Sequence, residues 1–285
     1  MLCSLGDVLL DVVVANRAEV THGADTSAAT MVGAGGQAAN VAAWTVALGG
    51  TARVVAKRAR DLAGHLIAED LRQRGVEVAG PVTDGATGVV VSISEYGGER
   101  TMLTDRGVCP LLSAAELRDE WFVGCDWLHL PLYSLIDAPI RDAALDAARR
   151  VRRVSVDLSS VSVLQEIGAA EVDRLLGLLS PEVILANEPE SKLLIGSAGS
   201  AGSGGSASSA GSAGSAGSAA SAATMIVKLG PGGVRVNGRL CPAWPARPAD
   251  STGAGDAFAA GFLLGGVDLG LDAAARSVSR LGAMP

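Results

Sequence analysis

The sequence predicts an α/β fold in three layers: a mostly parallel sheet covered by helices on both faces, with a small β-sheet outside that core. Three observations carry the prediction. Residues 127–132, 154–158 and 183–186 are strand-like and alternate with helix-period runs at 140–150 and 169–179, the pattern of right-handed βαβ units. Short β-prone runs at 88–93 and 100–103 flank Glu95-Tyr96-Gly97-Gly98, which reads as a hairpin. Two glycine turns, ending at Gly36 and Gly255, each open onto an apolar helix-forming segment.

With 285 residues, 48% of them hydrophobic, the chain is long enough for one large α/β domain spanning residues 1–285 with a sizeable core. A net charge of −7, aromatics at only 3% and the lack of any basic run exclude nucleic acid as an expected partner. No run reaches the roughly 18 uncharged apolar residues that a membrane span needs. The N-terminal apolar run is broken by Asp7 and Asp11 and has no basic leader, so a soluble, unprocessed, cytoplasmic protein is expected. Cys3, Cys109, Cys125 and Cys241 are scattered without a C-x-x-C pair, which suggests neither a zinc site nor a disulfide framework, and reduced thiols are expected.

In chain order, residues 2–5 and 8–14 read as strands, with Asp11 inside the second. Burying an unpaired carboxylate is costly, so Asp11 needs donors; ligand hydroxyls are one supply, and a surface turn is the other reading. Gly33-Ala34-Gly35-Gly36-Gln37-Ala38-Ala39-Asn40 is a glycine turn entering a helix that runs to about residue 48. As Gly33-x-Gly35-x-x-Ala38 it also fits a dinucleotide fingerprint, although the small polar residues 26–30 make a poor strand ahead of it. Residues 61–74 form an amphipathic helix ending at Gly75, and 76–78 begin a strand. Parts of 12–32 and 88–104 supply the small sheet, with Arg100 and Arg106 beside it. Those guanidiniums suit a hydroxyl, a carboxylate or a phosphate, or are simply solvated.

Asn187-Glu188-Pro189-Glu190 follows a parallel strand, at the end where such sheets bind ligands. Its hard oxygen donors suit Mg²⁺, and an acid-rich helix start is the alternative. Residues 197–222 contain only Gly, Ala and Ser, a low-complexity composition that cannot bury apolar area. A strand at 225–229 then leads into Lys228-Leu229-Gly230-Pro231-Gly232-Gly233, a natural nucleotide cradle, and a hairpin turning at Asn237-Gly238. A last helix spans 271–281.

The chain is organised around Asp250-Ser251-Thr252-Gly253-Ala254-Gly255-Asp256-Ala257-Phe258. The first amides of a helix have no internal acceptors and, with the helix dipole, form an anion site that Gly253 and Gly255 leave open to a ligand. Asp256 stands in the first helical turn, where the local positive potential should keep it ionised. A carboxylate beside an anion hole fits phosphoryl transfer to a hydroxyl; a structural helix start with Asp as its cap is the alternative.

This stretch resembles the C-terminal signature of the ribokinase-like (phosphofructokinase B type) carbohydrate kinases, and residues 35–40 resemble their N-terminal Gly-Gly-x-x-x-Asn signature. The resemblance implies a Rossmann-like sheet with a β-sheet lid, and ATP-dependent phosphorylation of a sugar hydroxyl. It implies Asp256 as catalytic base, with the amides of Gly253, Ala254, Gly255 and Asp256 as the anion hole. Asp11, Gly35, Gly36, Asn40, Arg100 and Arg106 would then contact the sugar. Asn187, Lys228, Gly230 and Gly233 would contact ATP, Glu190 would hold Mg²⁺ largely through water, and Asp250 would lie near a monovalent cation such as K⁺. Residues 59–64 keep the Asp61 and Gly64 of a further family element. The resemblance also allows a nucleoside acceptor, or a sugar-binding relative without turnover, and pairing of two copies through the lid.

Overall fold

The computed structural model describes residues 1–16, 19–20, 23–94, 100–200 and 222–285. The hairpin turn at 95–98 and all but the ends of the Gly/Ala/Ser run lie outside them.

The chain starts with β1 (Leu2–Leu5), then leaves the main sheet for β2 (Leu9–Asn16) and β3 (Ala28–Gly35). Helix α1 (Gln37–Ala47) returns to β4 (Ala52–Val55), and β5 (Arg58–Ala59) precedes α2 (Leu62–Gln73). After β6 (Glu77–Ala79) and β7 (Val82–Thr83) come the long β8 (Thr87–Ser94) and β9 (Arg100–Gly107). The βαβ half follows as β10 (Trp127–Pro131), α3 (Ile140–Ala148), β11 (Arg153–Asp157), α4 (Val161–Ile167), α5 (Ala169–Leu179) and β12 (Val183–Asn187). Helix α6 (Glu188–Ser200) runs into the Gly/Ala/Ser segment; β13 (Thr224–Lys228), β14 (Val234–Val236), β15 (Arg239–Cys241), α7 (Ala254–Gly265) and α8 (Val267–Val278) complete the chain.

Nine strands form the main sheet in the order β15-β14-β13-β12-β11-β10-β1-β4-β6. It is parallel from β6 to β13 and antiparallel only at β14 and β15. Alternation of side chains sorts its residues onto two helical layers. On one face Cys3, Leu128, Val156 and Ile184 pack with Ile140, Val172 and Leu176 of α3 and α5. On the other Leu2, Trp127 and Leu185 meet Trp44 of α1 and Phe258 of α7. Each fully buried Leu or Phe among these contributes roughly 1.5–3 kcal/mol of transfer free energy, so both layers hold the sheet.

The second sheet has the order β3-β2-β8-β9. Gly33 and Gly35 therefore end a strand antiparallel to β2, not the parallel strand that a dinucleotide fingerprint requires. Residues 26–30, too polar and small to suggest a strand, lead into β3 because β2 offers a complete ladder partner, and Ala29 to Val32 are exposed on both faces of the strand, where apolar character is not needed. Asp61 fastens this sheet to the core: it caps α2 by accepting from the Gly64 amide at 2.7 Å, and it also accepts from the Thr87 amide at the start of β8 at 2.8 Å.

Two expectations are corrected. The last helix begins at Val267 rather than 271 and stops at Val278, because Gly266 both ends α7 and starts α8 with no spacer between them. Cys3 and Cys125 form a disulfide across a Cα–Cα distance of 5.8 Å, rather than two reduced thiols. Parallel pairing of β1 with β10, which sets Cys3 opposite Leu128, brings together cysteines 122 positions apart. Cys109 and Cys241 are free.

Candidate active site

The main sheet reverses its direction of winding at β1, and the crevice beyond the carboxyl ends of its strands is where such sheets bind ligands. A cavity of about 300 Å³ lies there, between the carboxyl ends of β10, β11 and β13, the N-termini of α1 and α7, and the small sheet. Asp11, Gly36, Asn40, Arg106, Lys228, Gly253, Gly255 and Asp256 all line it. The two glycine turns, some 200 residues apart in sequence, thus face each other across one space.

Asn40, in the first turn of α1, donates from Nδ2 to Oδ2 of Asp256 at 2.8 Å. Burial pushes the Asp256 carboxyl up to about 7; the Asn40 bond and the Lys228 charge oppose that rise, while Asp157 and Asp11 add to it. Desolvation thus works against the ionised form that the helix start was expected to favour. Burial likewise lifts Asp11 to about 6. Gly35 is where it is because a Cβ there would lie 2.0 Å from the Asp11 carboxyl carbon.

Gly253 caps α7 in the left-handed region at φ 72°, and a Cβ there would come within 2.6 Å of Ala283. Ala254 follows as the first helical residue. Gly255 and Asp256 follow in the first turn of α7, where helix amides lack intrahelical acceptors and can serve an anion; the Ala254 amide donates to the Ser251 carbonyl at 3.4 Å.

The floor of the cavity is a buried ion pair. Lys228, the last residue of β13, donates to Oδ2 of Asp157, the last residue of β11, at 2.6 Å. Burial alone would lower the Lys228 pKa, but Asp157, with Glu190 and Asp256 beside it, holds it above the usual lysine value. A Cβ on Gly255 would lie 3.2 Å from Lys228 Nζ, so the ammonium sits against the first turn of α7. On the side of the small sheet, Arg106 of β9 forks onto Asp7, with Nε to Oδ2 at 2.6 Å and Nη2 to Oδ1 at 2.9 Å, and also donates to the Tyr133 carbonyl at 2.9 Å.

Other expected residues stand apart from this cavity. Asn187 and Glu190 cap α6 reciprocally: the Asn187 amide donates to Glu190 Oε2 at 2.8 Å, and the Glu190 amide donates to Asn187 Oδ1 at 2.8 Å. Glu190 is 2% exposed, and burial raises its pKa. Gly230 and Gly233 shape the turn after β13, where the Leu229 amide bonds to the Gly233 carbonyl. The Asp250 carboxylate accepts from the amides of Thr252 and Gly282, at 2.9 and 3.0 Å. Arg100 begins β9, and its side chain lies outside the described part. No group of three or more His, Cys, Asp or Glu among the described residues makes a metal cage.

Several lining residues escaped the sequence reading: Asp7, Gln37, Tyr133, Asp157 and Ser159. Ser159 takes φ 63° and ties β11 to α1 by donating to Gln37 Oε1 at 2.7 Å. Asp7 and Asp157 each stand at or just beyond the carboxyl end of a parallel strand, a position that alone could have pointed to them.

A family model described as pfkB family carbohydrate kinase matches residues 1–284. Fructokinase-1 of Oryza sativa subsp. japonica is 28% identical over 242 residues, covering 80% of this chain and 72% of its own length. The adenosine kinase structure from Sinorhizobium meliloti superposes with a TM-score of 0.81 at 23% identity, over 100% of this chain and 95% of that one. A putative ribokinase II from E. coli, solved with ATP and Mg²⁺, gives 0.78 at 21% identity over 99% and 94%. At these identities the two structures establish a shared fold.

Proposed function

Because the chain belongs to the pfkB family of carbohydrate kinases, we propose that it transfers the γ-phosphoryl group of ATP to a hydroxyl of a small sugar, with Asp256 as the general base. The observation that carries this reading is the convergence of Asp11, Asn40 and Asp256 on one cavity at the open N-terminus of α7. Asp11 and Asn40, with the backbone at Gly35 and Gly36, grip and orient the acceptor. Asp256 takes the acceptor's hydroxyl proton as that oxygen bonds to phosphorus. The amides of Gly253, Ala254, Gly255 and Asp256 donate to the charge on the transferring group, where fixed donors are most effective.

Asn187, Lys228, Gly230 and Gly233 are assigned to the nucleotide. Glu190 is assigned to Mg²⁺, which keeps several waters and phosphate oxygens rather than an all-protein cage and neutralises phosphate charge; the lack of a carboxylate cage among the described residues fits that mode. The Asp250 carboxylate is committed to Thr252 and Gly282, so a K⁺ ion there would be held by main-chain carbonyls. Arg100 is kept on the acceptor side by its place in β9, with the small sheet as the lid. Exposed Met31, Val32, Met102 and Leu103 on that sheet support pairing of two copies through it. A nucleoside acceptor is the second reading, favoured by the apolar Leu9, Val90 and Met102 along one side of the cavity.

The test is ADP release across a panel of sugars and nucleosides, with Asp256→Asn as the control. The variant should bind acceptor and ATP in calorimetry while turning over far more slowly. Unchanged turnover would refute the base assignment.

A further inference from the structure

We infer that the acceptor is an uncharged polyol, and that the pairing of Arg106 with Asp7 is the device that turns away sugar phosphates and sugar acids. This rests on the kinase reading above and narrows it. The cavity is lined by two cations, Arg106 and Lys228, and by four carboxylates, Asp7, Asp11, Asp157 and Asp256. Both cations are already matched. Arg106 gives its fork to Asp7 and a third bond to the Tyr133 carbonyl. Lys228 is held by Asp157 at 2.6 Å, with the Asp157 side chain fully buried. Asp11 and Asp256 make no ion pair among the described residues, and neither cation is left unpaired to receive an anionic acceptor.

An anionic group on the acceptor would have to take Arg106 from Asp7. That exchange strands a carboxylate only 6% exposed, and a buried charge that loses its partner is strongly unfavourable. Bidentate geometry makes Asp7 a hard competitor to displace. The amides of α7 offer no alternative berth, because the transferring phosphoryl group needs them. Neutral hydroxyls meet no such conflict: Asp11 accepts from them, while Gln37, Thr104 and Ser159 line the same space with groups that donate or accept.

The experiment measures ADP release for matched pairs: ribose against ribose 5-phosphate, fructose against fructose 6-phosphate, glucose against gluconate. For the wild type, kcat/KM for the neutral member should exceed that for the anionic member by on the order of 100-fold, as one unscreened like charge at close range implies. Asp7→Asn, which leaves the guanidinium without its carboxylate, should cut that ratio at least about tenfold. Arg106→Gln, which leaves the Asp7 charge in place, should widen it. Preference of the wild type for the anionic member, or a ratio untouched in both variants, overturns the inference. If no member of any pair releases ADP, the kinase reading fails instead. Calorimetric affinities for the same pairs then decide the charge preference, and tighter binding of the anionic member refutes it.

Discussion

Asn40 reaches across 216 positions of sequence to donate a 2.8 Å hydrogen bond to Asp256. It ties the residue that follows one glycine turn to the carboxylate that follows the other, so the two turns that frame the cavity are fixed relative to each other.

That bond has a measurable electrostatic consequence. Burial raises the Asp256 pKa to about 7, and the Asn40 amide works against the rise. A general base must be ionised, so kcat/KM should climb as pH rises through about 7 and level off above it. Asn40→Ala should displace the midpoint upward. A pH–rate profile reads both, and a flat profile between pH 5 and 8 would contradict the assignment.

Asp256→Asn should lower kcat by roughly 10²–10⁴, and it should also change stability in a pH-dependent way. The folded carboxyl titrates near 7 against an ordinary 3.8. Between those values the unfolded chain is ionised while the folded chain holds its proton, so wild-type stability falls as pH rises through that window. The variant lacks this loss. Its melting temperature should exceed that of the wild type at pH 8, and the two should converge near pH 4.

The Lys228–Asp157 pair should be unforgiving of half-removal. Lys228→Met leaves Asp157 charged and fully buried, which costs about 3–5 kcal/mol of folding stability. Adding Asp157→Asn should recover much of that stability in urea titrations. It should not recover turnover, because the cation beside the first turn of α7 is gone.

Gly35→Ala tests the acceptor grip without touching charge. Its Cβ would overlap the Asp11 carboxyl at 2.0 Å, so Asp11 must swing away from its place in the cavity. KM for the acceptor should rise tenfold or more, equivalent to about 1.4 kcal/mol, while KM for ATP changes little. Equal increases in both constants would argue against a dedicated acceptor contact.

Much of the architecture was legible because its signals are local. Helix α5 was expected at residues 169–179 and spans Ala169–Leu179, and the Asn237-Gly238 turn joins β14 to β15 as its dipeptide requires. Where a feature depends on which strands become neighbours, sequence was silent. The Cys3–Cys125 disulfide exists only because β1 pairs with β10. Asp7 and Asp157 look like ordinary strand-end acids until the sheet order gathers them with Arg106 and Lys228. The upward shift of the Asp256 pKa was not legible for a related reason: a helix start can be recognised from residue types, but the depth at which it is buried cannot.

Strand β1, which precedes all its sheet neighbours in the sequence, lies in the middle of the sheet, with β4 on one side and β10 on the other. Its partner Trp127 emerges from the ribosome 125 residues after Leu2, roughly 6–25 s later at ordinary elongation rates. Until then the apolar segment 2–5 has at least one unpaired edge, two before β4 is made, which is the kind of exposed strand that invites misassembly during synthesis.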